Sequence, residues 1–377
     1  MKAGWLARQF DDVLEIRNGK NQREVESKDG EYPIFGSAGN VMGYATSYIC
    51  EAGTTIIGRK GNINTPIFSD TKFWNVDTAF GLAAKPGLDS KFLYYYCLSF
   101  DFGALNRGTT IPSLVKSELL RIPIPLPPLA EQKRIVTLLD EAFAHIATAK
   151  ANAEQNLQNA RALFESYLQS VFSQGDDGWL DRRLGDIFYI GSSKRVYENE
   201  WTSSGVPFYG GREIVKLAMG ISPVVSAAHI SEKKYCELAT QYDMPKEGNI
   251  LMTARGTIGV GYVVTEGDRF YYKDGNIISF QEKTPTNPWF ILFAFRTKLI
   301  RDQLGTLTGA TVQHLPIEKA NALTIKMPCF SDQNSLVETM RTIETETQRL
   351  ESTYQQKLTA LDALKKSLLH QAFSGAL

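Results

Sequence analysis

Arginine, lysine, asparagine and threonine side chains cluster in glycine-flanked segments at corresponding places in the two halves of this sequence. An arginine can bond two acceptors on a guanine edge, and an asparagine or glutamine can do the same on adenine. Flanking glycines let the backbone approach a phosphate closely. Residues of these types are therefore suited to contact DNA, the role that the family resemblance described below implies for them; the alternative is that these are structural turns with solvent-facing polar groups. The candidate contacts are Lys20, Arg59, Lys60, Asn62, Asn64, Arg107, Thr109 and Thr110 in the first half, and Lys194, Arg195, Arg255, Thr257, Thr308, Thr311, Gln313 and His314 in the second.

The sequence lacks the motifs that would indicate catalysis. Residues 53–59 have the glycine spacing of a P-loop, but Arg59 stands where that motif requires lysine. The glycines of residues 256–261 have the wrong order for a dinucleotide fingerprint. The four histidines lack metal-ligand spacing, and no adenine-methyltransferase tetrapeptide (Asp-Pro-Pro-Tyr or Asn-Pro-Pro-Phe) occurs. We expect a non-catalytic chain with no metal and no cofactor of its own.

Length, charge and cysteine content restrict the class of protein. A chain of 377 residues predicts two or more domains. Its 41 basic and 41 acidic residues balance, so DNA binding driven by charge alone is excluded. We expect no membrane span and no signal peptide, because the sequence lacks a long apolar run. The four cysteines are widely spaced, which suits thiols in the cytoplasm.

A long helix is predicted after the paired prolines Pro127 and Pro128. Proline disfavours helix continuation but fits just before a helix, and no proline or glycine follows until after Gln174. Positions at alternating steps of four and three form the a/d seam of a coiled coil. The predicted seam is Ile135, Leu139, Ala142, Ile146, Ala149, Ala153, Asn156, Ala160 and Leu163.

A second copy of this seam occurs 201 residues later, so the chain is a tandem duplication. Residues 108–114 align with residues 309–315 at the same offset. The residues of the second seam are Leu336, Met340, Ile343, Leu350, Tyr354, Lys357, Leu361, Leu364 and Leu368.

The segments before the two helices are also copies of one another. Residues 4–8 match residues 178–182 at an offset of 174, whereas residues 59–63 match residues 254–258 at an offset of 195. About 21 residues are therefore inserted around residues 215–247. Short apolar runs between frequent glycines predict β-rich domains, with one helix near residues 90–100. We predict domains at residues 1–128 and 176–328, and helices at residues 129–175 and 329–377.

The two seams are complementary in size. The first is rich in alanine and the second in large side chains, so the helices can interdigitate. We predict an α+β fold with two tandem-repeated β-rich domains, joined and separated by two long helices that form an antiparallel coiled coil with pseudo-two-fold symmetry. Asn156 and Lys357 are predicted to fix its register. The alternative is that each helix is a lone surface helix or serves homodimerisation.

The sequence closely resembles the specificity subunit of type I restriction-modification systems. The resemblance covers the whole chain and rests on the Ile-Pro-Ile-Pro-Leu-Pro-Pro-Leu-Ala-Glu-Gln-Lys-Arg-Ile-Val run at residues 122–136, the Gly-Thr-Thr-Ile-Pro-Ser-Leu loop before it, and the repeated domain-helix plan. The second helix entry departs from this pattern but keeps Pro328 and Gln333.

This resemblance implies that each β-rich domain is a target recognition domain that reads one half of a bipartite double-stranded DNA sequence. The helices would set the half-site spacing and bind two modification subunits. Those partners would carry S-adenosylmethionine and methylate adenine, and restriction subunits would use ATP and Mg²⁺ to translocate and cleave DNA. Two alternatives stay open: a non-catalytic adaptor, and a stand-alone specificity module of a type II-like methyltransferase or nuclease.

Overall fold

The computed structural model describes residues 4–175, 178–242, 244–305 and 314–377. The chain divides into two compact units, of which unit 1 comprises residues 1–155 and 354–377, and unit 2 comprises residues 156–353. Each long helix contributes one part to each unit: α4 is Leu129–Gln174 and α11 is Phe330–Ser374. The predicted α+β fold, with two β-rich modules and two long helices, is confirmed.

Unit 1 contains two larger sheets and one short strand pair. The sheet orders are β2-β8-β5-β6, β4-β3-β7 and β1-β9. Among the described residues of this unit, β3 and β7 pair in parallel and the other strand pairs are antiparallel. The strands are β1 Leu6–Gln9, β2 Leu14–Asn18, β3 Tyr32–Phe35, β4 Val41–Ala45, β5 Thr54–Gly58, β6 Ile67–Ser69, β7 Trp74–Asn75, β8 Ala79–Ala84 and β9 Pro123–Leu126. The shorter helices are α1 Phe10–Val13, α2 Ser90–Ser99 and α3 Lys116–Leu119, with a 3₁₀ turn at Phe102–Leu105.

Unit 2 repeats this plan. Its sheets run β11-β18-β15-β16, β12-β14-β13-β17 and β10-β19, and β13 and β17 form the parallel pair. The strands are β10 Leu180–Arg183, β11 Phe188–Gly191, β12 Trp201–Thr202, β13 Val206–Tyr209, β14 His229–Ile230, β15 Ile250–Thr253, β16 Gly261–Val263, β17 Tyr271–Tyr272, β18 Ile277–Glu282 and β19 Thr324–Met327. The helices are α5 Leu184–Ile187, α6 Gly211–Ala218, α7 Glu232–Gln241, α8 Pro288–Phe295, α9 Lys298–Leu304 and α10 Ile317–Ala322, with a 3₁₀ turn at Glu198–Glu200.

In each unit, the start of one long helix packs against the helix that follows the main sheet. In unit 1, Ile135 and Leu139 of α4 share a core with Phe92 of α2 and with Ala372 of α11. In unit 2, Met340 of α11 shares a core with residues of α4, α8 and the β11-β18 pair. Burial of these apolar faces, rather than helix propensity alone, stabilises such long helices.

The long helices run antiparallel in both units. In unit 1, Lys150 Nζ lies 2.6 Å from the Asp362 carboxylate, and Arg134 Nη2 lies 3.0 Å from the carbonyl oxygen of Leu377. From Arg134 to Lys150 along α4, the contacted residue moves back from Leu377 to Asp362, as antiparallel segments require. In unit 2, Arg161 Nε lies 3.1 Å from the Glu351 carboxylate, which continues the same trend.

The strict heptad prediction needs a correction along both seams. The side chains of Asn156 and Lys357 are exposed, so the prediction that they fix register inside the interface is wrong. A strict heptad drifts by about 20° per heptad on a helix of 3.6 residues per turn, so about three heptads move the seam by most of one residue. The seam positions that the structure leaves exposed are Asn156, Leu163, Leu350, Lys357 and Leu364.

The next residue along the helix often takes the buried place instead. Leu157 and Phe164 are buried beside the exposed Asn156 and Leu163, and Leu358 is half-buried beside Lys357. The remaining predicted seam positions are buried or half-buried: Ile135, Leu139, Ala142, Ile146, Ala149, Ala153, Ala160, Leu336, Met340, Ile343, Tyr354, Leu361 and Leu368.

Candidate nucleic-acid interface

Two loops that are about 50 residues apart in sequence meet in unit 1. The loop after β5 is joined to the loop before α3 because Leu114 N donates to Arg59 O at 2.9 Å and Gly61 N donates to Pro112 O at 2.9 Å. Lys60 and Ser113 form an isolated β-bridge between these hydrogen bonds. The structure therefore brings the two predicted DNA-contacting segments of unit 1 into one loop pair.

Unit 2 builds the same loop pair with different side chains. Arg255 and His314 form the equivalent β-bridge, and Leu315 N donates to Ala254 O at 2.8 Å. The His314 ring nitrogen Nδ1 also lies 3.0 Å from Ala254 O. Three further candidates in this loop, Thr308, Thr311 and Gln313, lie outside the described residues.

A glycine in the left-handed region shapes both loop pairs. Gly61 has φ +80° and Gly256 has φ +78° at corresponding positions. An L-residue with a Cβ adopts this conformation at a cost of about 1–2 kcal/mol, so glycine suits the turn. The backbone is thereby fixed directly beside Lys60 and Arg255.

The candidate cations differ in whether a carboxylate already holds them. Arg107 bonds to Glu118 through Nε and Nη2, at 2.6 Å for the shortest contact, and this guanidinium keeps the pKa of the Glu118 carboxyl below its usual value. Arg195 Nε lies 2.8 Å from the Asp274 carboxylate. The structure thus engages Arg107 and Arg195 with protein groups, although exposed pairs of this kind contribute little stability and can exchange for a phosphate.

Lys60 and Arg255 remain available at the loop pairs. Both side chains are exposed, and neither has an ion pair within the described residues. The Arg59 guanidinium lies 5.7 Å from the centre of the Phe80 ring and reaches the carbonyl of Asp77 at 3.5 Å, which orients it without neutralising it. These three cations are free to meet phosphates or base edges.

The side chains of the two asparagine candidates are both hydrogen-bonded to other residues of the chain. The Asn64 amide donates to Asp101 Oδ1 at 2.9 Å and accepts from Phe102 N at 2.9 Å, so it fastens the loop to the 3₁₀ turn. The Asn62 oxygen accepts a hydrogen bond from the Thr65 hydroxyl, and its NH₂ group has no hydrogen bond to the described residues. Asn64 is therefore a support for the loop in this structure.

The other candidates lie in exposed positions. Thr109 and Thr110 are at the exposed tip of the second loop of unit 1. Lys20 lies beside β7, where its carbonyl accepts from Trp74 Nε1 at 3.0 Å. Lys194 stands over the Tyr242 ring with Nζ 5.8 Å from the ring centre. Thr257 is exposed next to Gly256 in the unit 2 loop.

A cleft beside the unit 2 loop pair adds residues that the sequence analysis missed. It has a volume of about 610 Å³, and the side chains of Arg212, Lys216 and Asn276 line it together with Arg255 and Thr257. Arg212 and Lys216 belong to α6, which begins just before the inserted segment and continues into it. The signal that could have identified them is two basic residues four positions apart at the point where the second half begins to depart from the first.

The described residues give no sign of a metal centre or a membrane-spanning helix. Among them, no group of three or more histidine, cysteine, aspartate or glutamate side chains could hold a metal ion. Their helices are all too short or too polar to cross a bilayer.

One known protein family and several known proteins match this chain in sequence. The family model described as the type I restriction modification DNA specificity domain matches residues 2–159 and 176–360. A Haemophilus influenzae protein named as a type I restriction enzyme specificity subunit is 28% identical over 350 residues, which is 89% of this chain and 86% of the relative. The EcoBI specificity subunit of Escherichia coli is 21% identical over 413 residues, which is 99% of this chain and 86% of the relative.

Solved structures share the fold along the whole chain. A structure from work on assembly and conformational transition of the type I restriction-modification system superposes with a TM-score of 0.73 at 17% identity, covering 100% of this chain and 99% of that one. The HsdS subunit of Thermoanaerobacter tengcongensis superposes with a TM-score of 0.62 at 17% identity, covering 100% and 98%.

Proposed function

The chain belongs to the type I restriction modification DNA specificity family, and on this basis we propose that it is the sequence-specific DNA-binding subunit of a type I restriction-modification complex. Each unit reads one half of a bipartite target through its loop pair. The chain itself performs no chemistry; modification subunits methylate adenine with S-adenosylmethionine, and ATP- and Mg²⁺-dependent restriction subunits cleave.

The repeated loop pair is the observation that carries this proposal. The β-bridge Lys60–Ser113 in unit 1 and the β-bridge Arg255–His314 in unit 2 have the same place in the fold and different side chains. Base edges in the major groove are distinguished by the donors and acceptors that a side chain presents. One backbone frame with two sets of side chains therefore supports the reading of two different half-sites.

The two long helices support a role in spacing the half-sites. Helix α4 has 46 residues and α11 has 45, and neither contains a proline or glycine. We propose that their length sets the gap between the half-sites. Inserting one heptad into both helices adds about 10 Å of helix, equivalent to about three base pairs. An unchanged gap after this insertion rejects the spacing role.

Equivalent exposed apolar pairs support two docking sites for identical partners. In unit 1, Leu6 is 54% exposed and Leu129 is 43% exposed. In unit 2, Leu180 is 56% exposed and Phe330 is 46% exposed, at the corresponding positions of the first strand and the helix start. Because both units expose the same kind of pair, we propose that each binds one modification subunit.

The pairing of β-strands places each exposed pair in one region. Leu6 lies opposite Leu126, three residues before Leu129. In unit 2, Leu180 lies opposite Met327, three residues before Phe330. Binding of partners also suits the balanced charge of the chain, since additional phosphate contacts from partner subunits would strengthen DNA binding.

The test is selection of bound sequences by the assembled complex of this chain with its modification subunits. A randomised duplex library should yield one bipartite sequence. Lys60→Ala should relax the first half-site alone, and Arg255→Ala the second alone, each with a loss of about 1–3 kcal/mol of base discrimination. Arg183→Ala is the matched control, because Arg183 is an exposed arginine on β10 that belongs to neither loop pair. Selection of no sequence would favour an adaptor, and co-purification with a type II-like enzyme would favour a stand-alone module.

A further inference from the structure

Helix α6 of unit 2 has no counterpart among the described residues of unit 1. In unit 1, β3 is followed by a short turn and then by its antiparallel neighbour β4. In unit 2, the equivalent strand β13 is followed by α6, and the chain returns to pair with β13 only at β14. Helix α6 thus forms where the insertion begins, and it lies beside the loop pair of unit 2.

Helix α6 has one buried face and one basic face. Ile214 is fully buried in a cluster with Leu251 and Ile277, and Leu217 packs at its border. Arg212 and Lys216, one turn apart, are exposed on the other side. The buried face fixes the helix on β15 and β16, so the basic side chains have a rigid support.

Glu213 on α6 and Asp274, two residues before Asn276 of the cleft, are carboxylates that are already engaged. Glu213, the residue after Arg212, accepts a hydrogen bond from Gly210 N at 2.9 Å and so caps the start of α6. Asp274 is ion-paired with Arg195. Within the part of the chain that the structure describes, neither Arg212 nor Lys216 has an ion-pair partner.

Helix α6 and the loop pair line the same cleft. Its walls carry Arg212, Lys216 and Arg255, with Thr257 and Asn276, and no carboxylate is among the described residues that line it. Its volume of about 610 Å³ gives room for a phosphate and a base edge together. Three cations beside an amide and a hydroxyl are the donor set that binds phosphate and base edges in duplex DNA.

We propose that α6 enters the major groove of the second half-site, where Arg212 and Arg255 bind guanine and Lys216 binds a backbone phosphate. This inference rests on the proposed function, and DNA is the expected ligand because Arg255 belongs both to the loop pair and to this cleft. An α-helix with its side chains is about 10–12 Å across, which matches the major groove width of about 12 Å. The second half-site is thus read by a helix and a loop pair.

Three substitutions separate base reading from charge. Arg212→Ala in the assembled complex should reduce the preference for guanine at one position of the second half-site by about ten- to a hundred-fold and leave the first half-site unchanged. Arg212→Lys should also lose this preference, because lysine lacks the planar fork, while the dependence of affinity on salt is kept. Lys216→Ala should weaken binding to all sequences equally and lower the salt slope by about one.

The measurement is sequencing of bound duplexes from a library randomised in the second half-site, with anisotropy titrations at several salt concentrations. Both alanine variants should fold, because alanine favours a helix, and Arg183→Ala should bind as the unmodified chain does. An unchanged preference in Arg212→Ala, or a uniform weakening without lost preference, would overturn base reading by α6. Loss of a modification subunit from the Arg212→Ala complex, with unchanged DNA selection, would also overturn it.

The outcomes also distinguish this inference from the proposed function. If the unmodified complex selects no bipartite sequence, the proposed function fails. If it selects one, and the Arg212→Ala complex selects the same one, only the role of α6 fails.

Discussion

Gln132 and Gln333, which are 201 residues apart, are both buried and hold the first turn of a long helix in the same way. Gln132 Oε1 accepts from Asp89 N at 2.7 Å, and Gln333 Oε1 accepts from Asn287 N at 3.0 Å. Asp89 and Asn287 are the N-caps of α2 and α8. Each glutamine NH₂ group also donates to a proline carbonyl just before its helix, so one side chain joins three segments in each unit.

Replacing either glutamine by leucine should destabilise the chain by about 1–3 kcal/mol, because buried backbone groups would lose their partners. Urea denaturation of Gln132→Leu and Gln333→Leu measures this effect. Gln158→Leu is the control, since Gln158 is exposed on α4 and should change stability little. Equal stability of Gln132→Leu and the control would show that these hydrogen bonds do not hold the helix start.

Overpacking tests the close approach of the helices. Ala153 is buried on α4 and Ala151 is exposed two positions earlier. Ala153→Leu should reduce the free energy of unfolding by about 1–3 kcal/mol, because extra methylenes do not fit a packed interface. Ala151→Leu should change it little. If both variants unfold at the same urea concentration, Ala153 does not face a packed neighbour.

Thiol reactivity tests the burial of the cysteines. Burial raises the pKa of Cys50 to about 12 and also raises the pKa of Cys97, whereas Cys236 and Cys329 are exposed. The reactive species is the thiolate, so titration with a chromogenic disulfide at pH 8 should label Cys236 and Cys329 in the folded chain and all four thiols after unfolding.

The raised pKa values also give a direction for stability at high pH. The unfolded chain loses thiol protons at lower pH than the folded chain, so stability from these groups is present below about pH 9 and declines as the pH rises towards 12. Rapid labelling of Cys50 or Cys97 in the folded chain would contradict their burial.

Charged substitutions test the proposed docking pairs one at a time. Leu129→Asp should abolish one of two partner sites and leave a complex with a single modification subunit, because a carboxylate in an apolar contact is costly to bury. Phe330→Asp should do the same at the other site, and the double variant should bind none. Native mass spectrometry gives the subunit count, with Gln158→Asp as the exposed control on α4. A complex that keeps two partners in the double variant rejects these positions as docking sites.

The sequence predicts the repeated plan because the repeat depends on local signals. Proline before each long helix, the absence of proline and glycine within it, and the apolar face of α2 are all visible in the residues themselves. The exact seam is not visible in this way. A pattern that repeats every 3.5 residues follows a helix of 3.6 residues per turn only over short lengths. Leu157 and Phe164 are therefore buried, whereas the predicted Asn156 and Leu163 are exposed.

The candidate site was harder to predict because it depends on tertiary contacts. The sequence indicates the polar loops but not that Arg107 is held by Glu118 or that Asn64 is used to fasten its own loop. Positions that correspond between the two units can also make different interactions. Lys91 and Asp140 form an ion pair at 2.8 Å in unit 1, where unit 2 has Arg341 stacked at 4.0 Å over the Trp289 ring.

The most direct test of the specificity role is single-molecule methylome sequencing of a host that expresses the partner methyltransferase with and without this chain. We predict adenine methylation at one bipartite motif, present only when the chain is expressed. Methylation that is absent with the chain, or that occurs equally without it, would contradict the role of this chain in DNA target recognition.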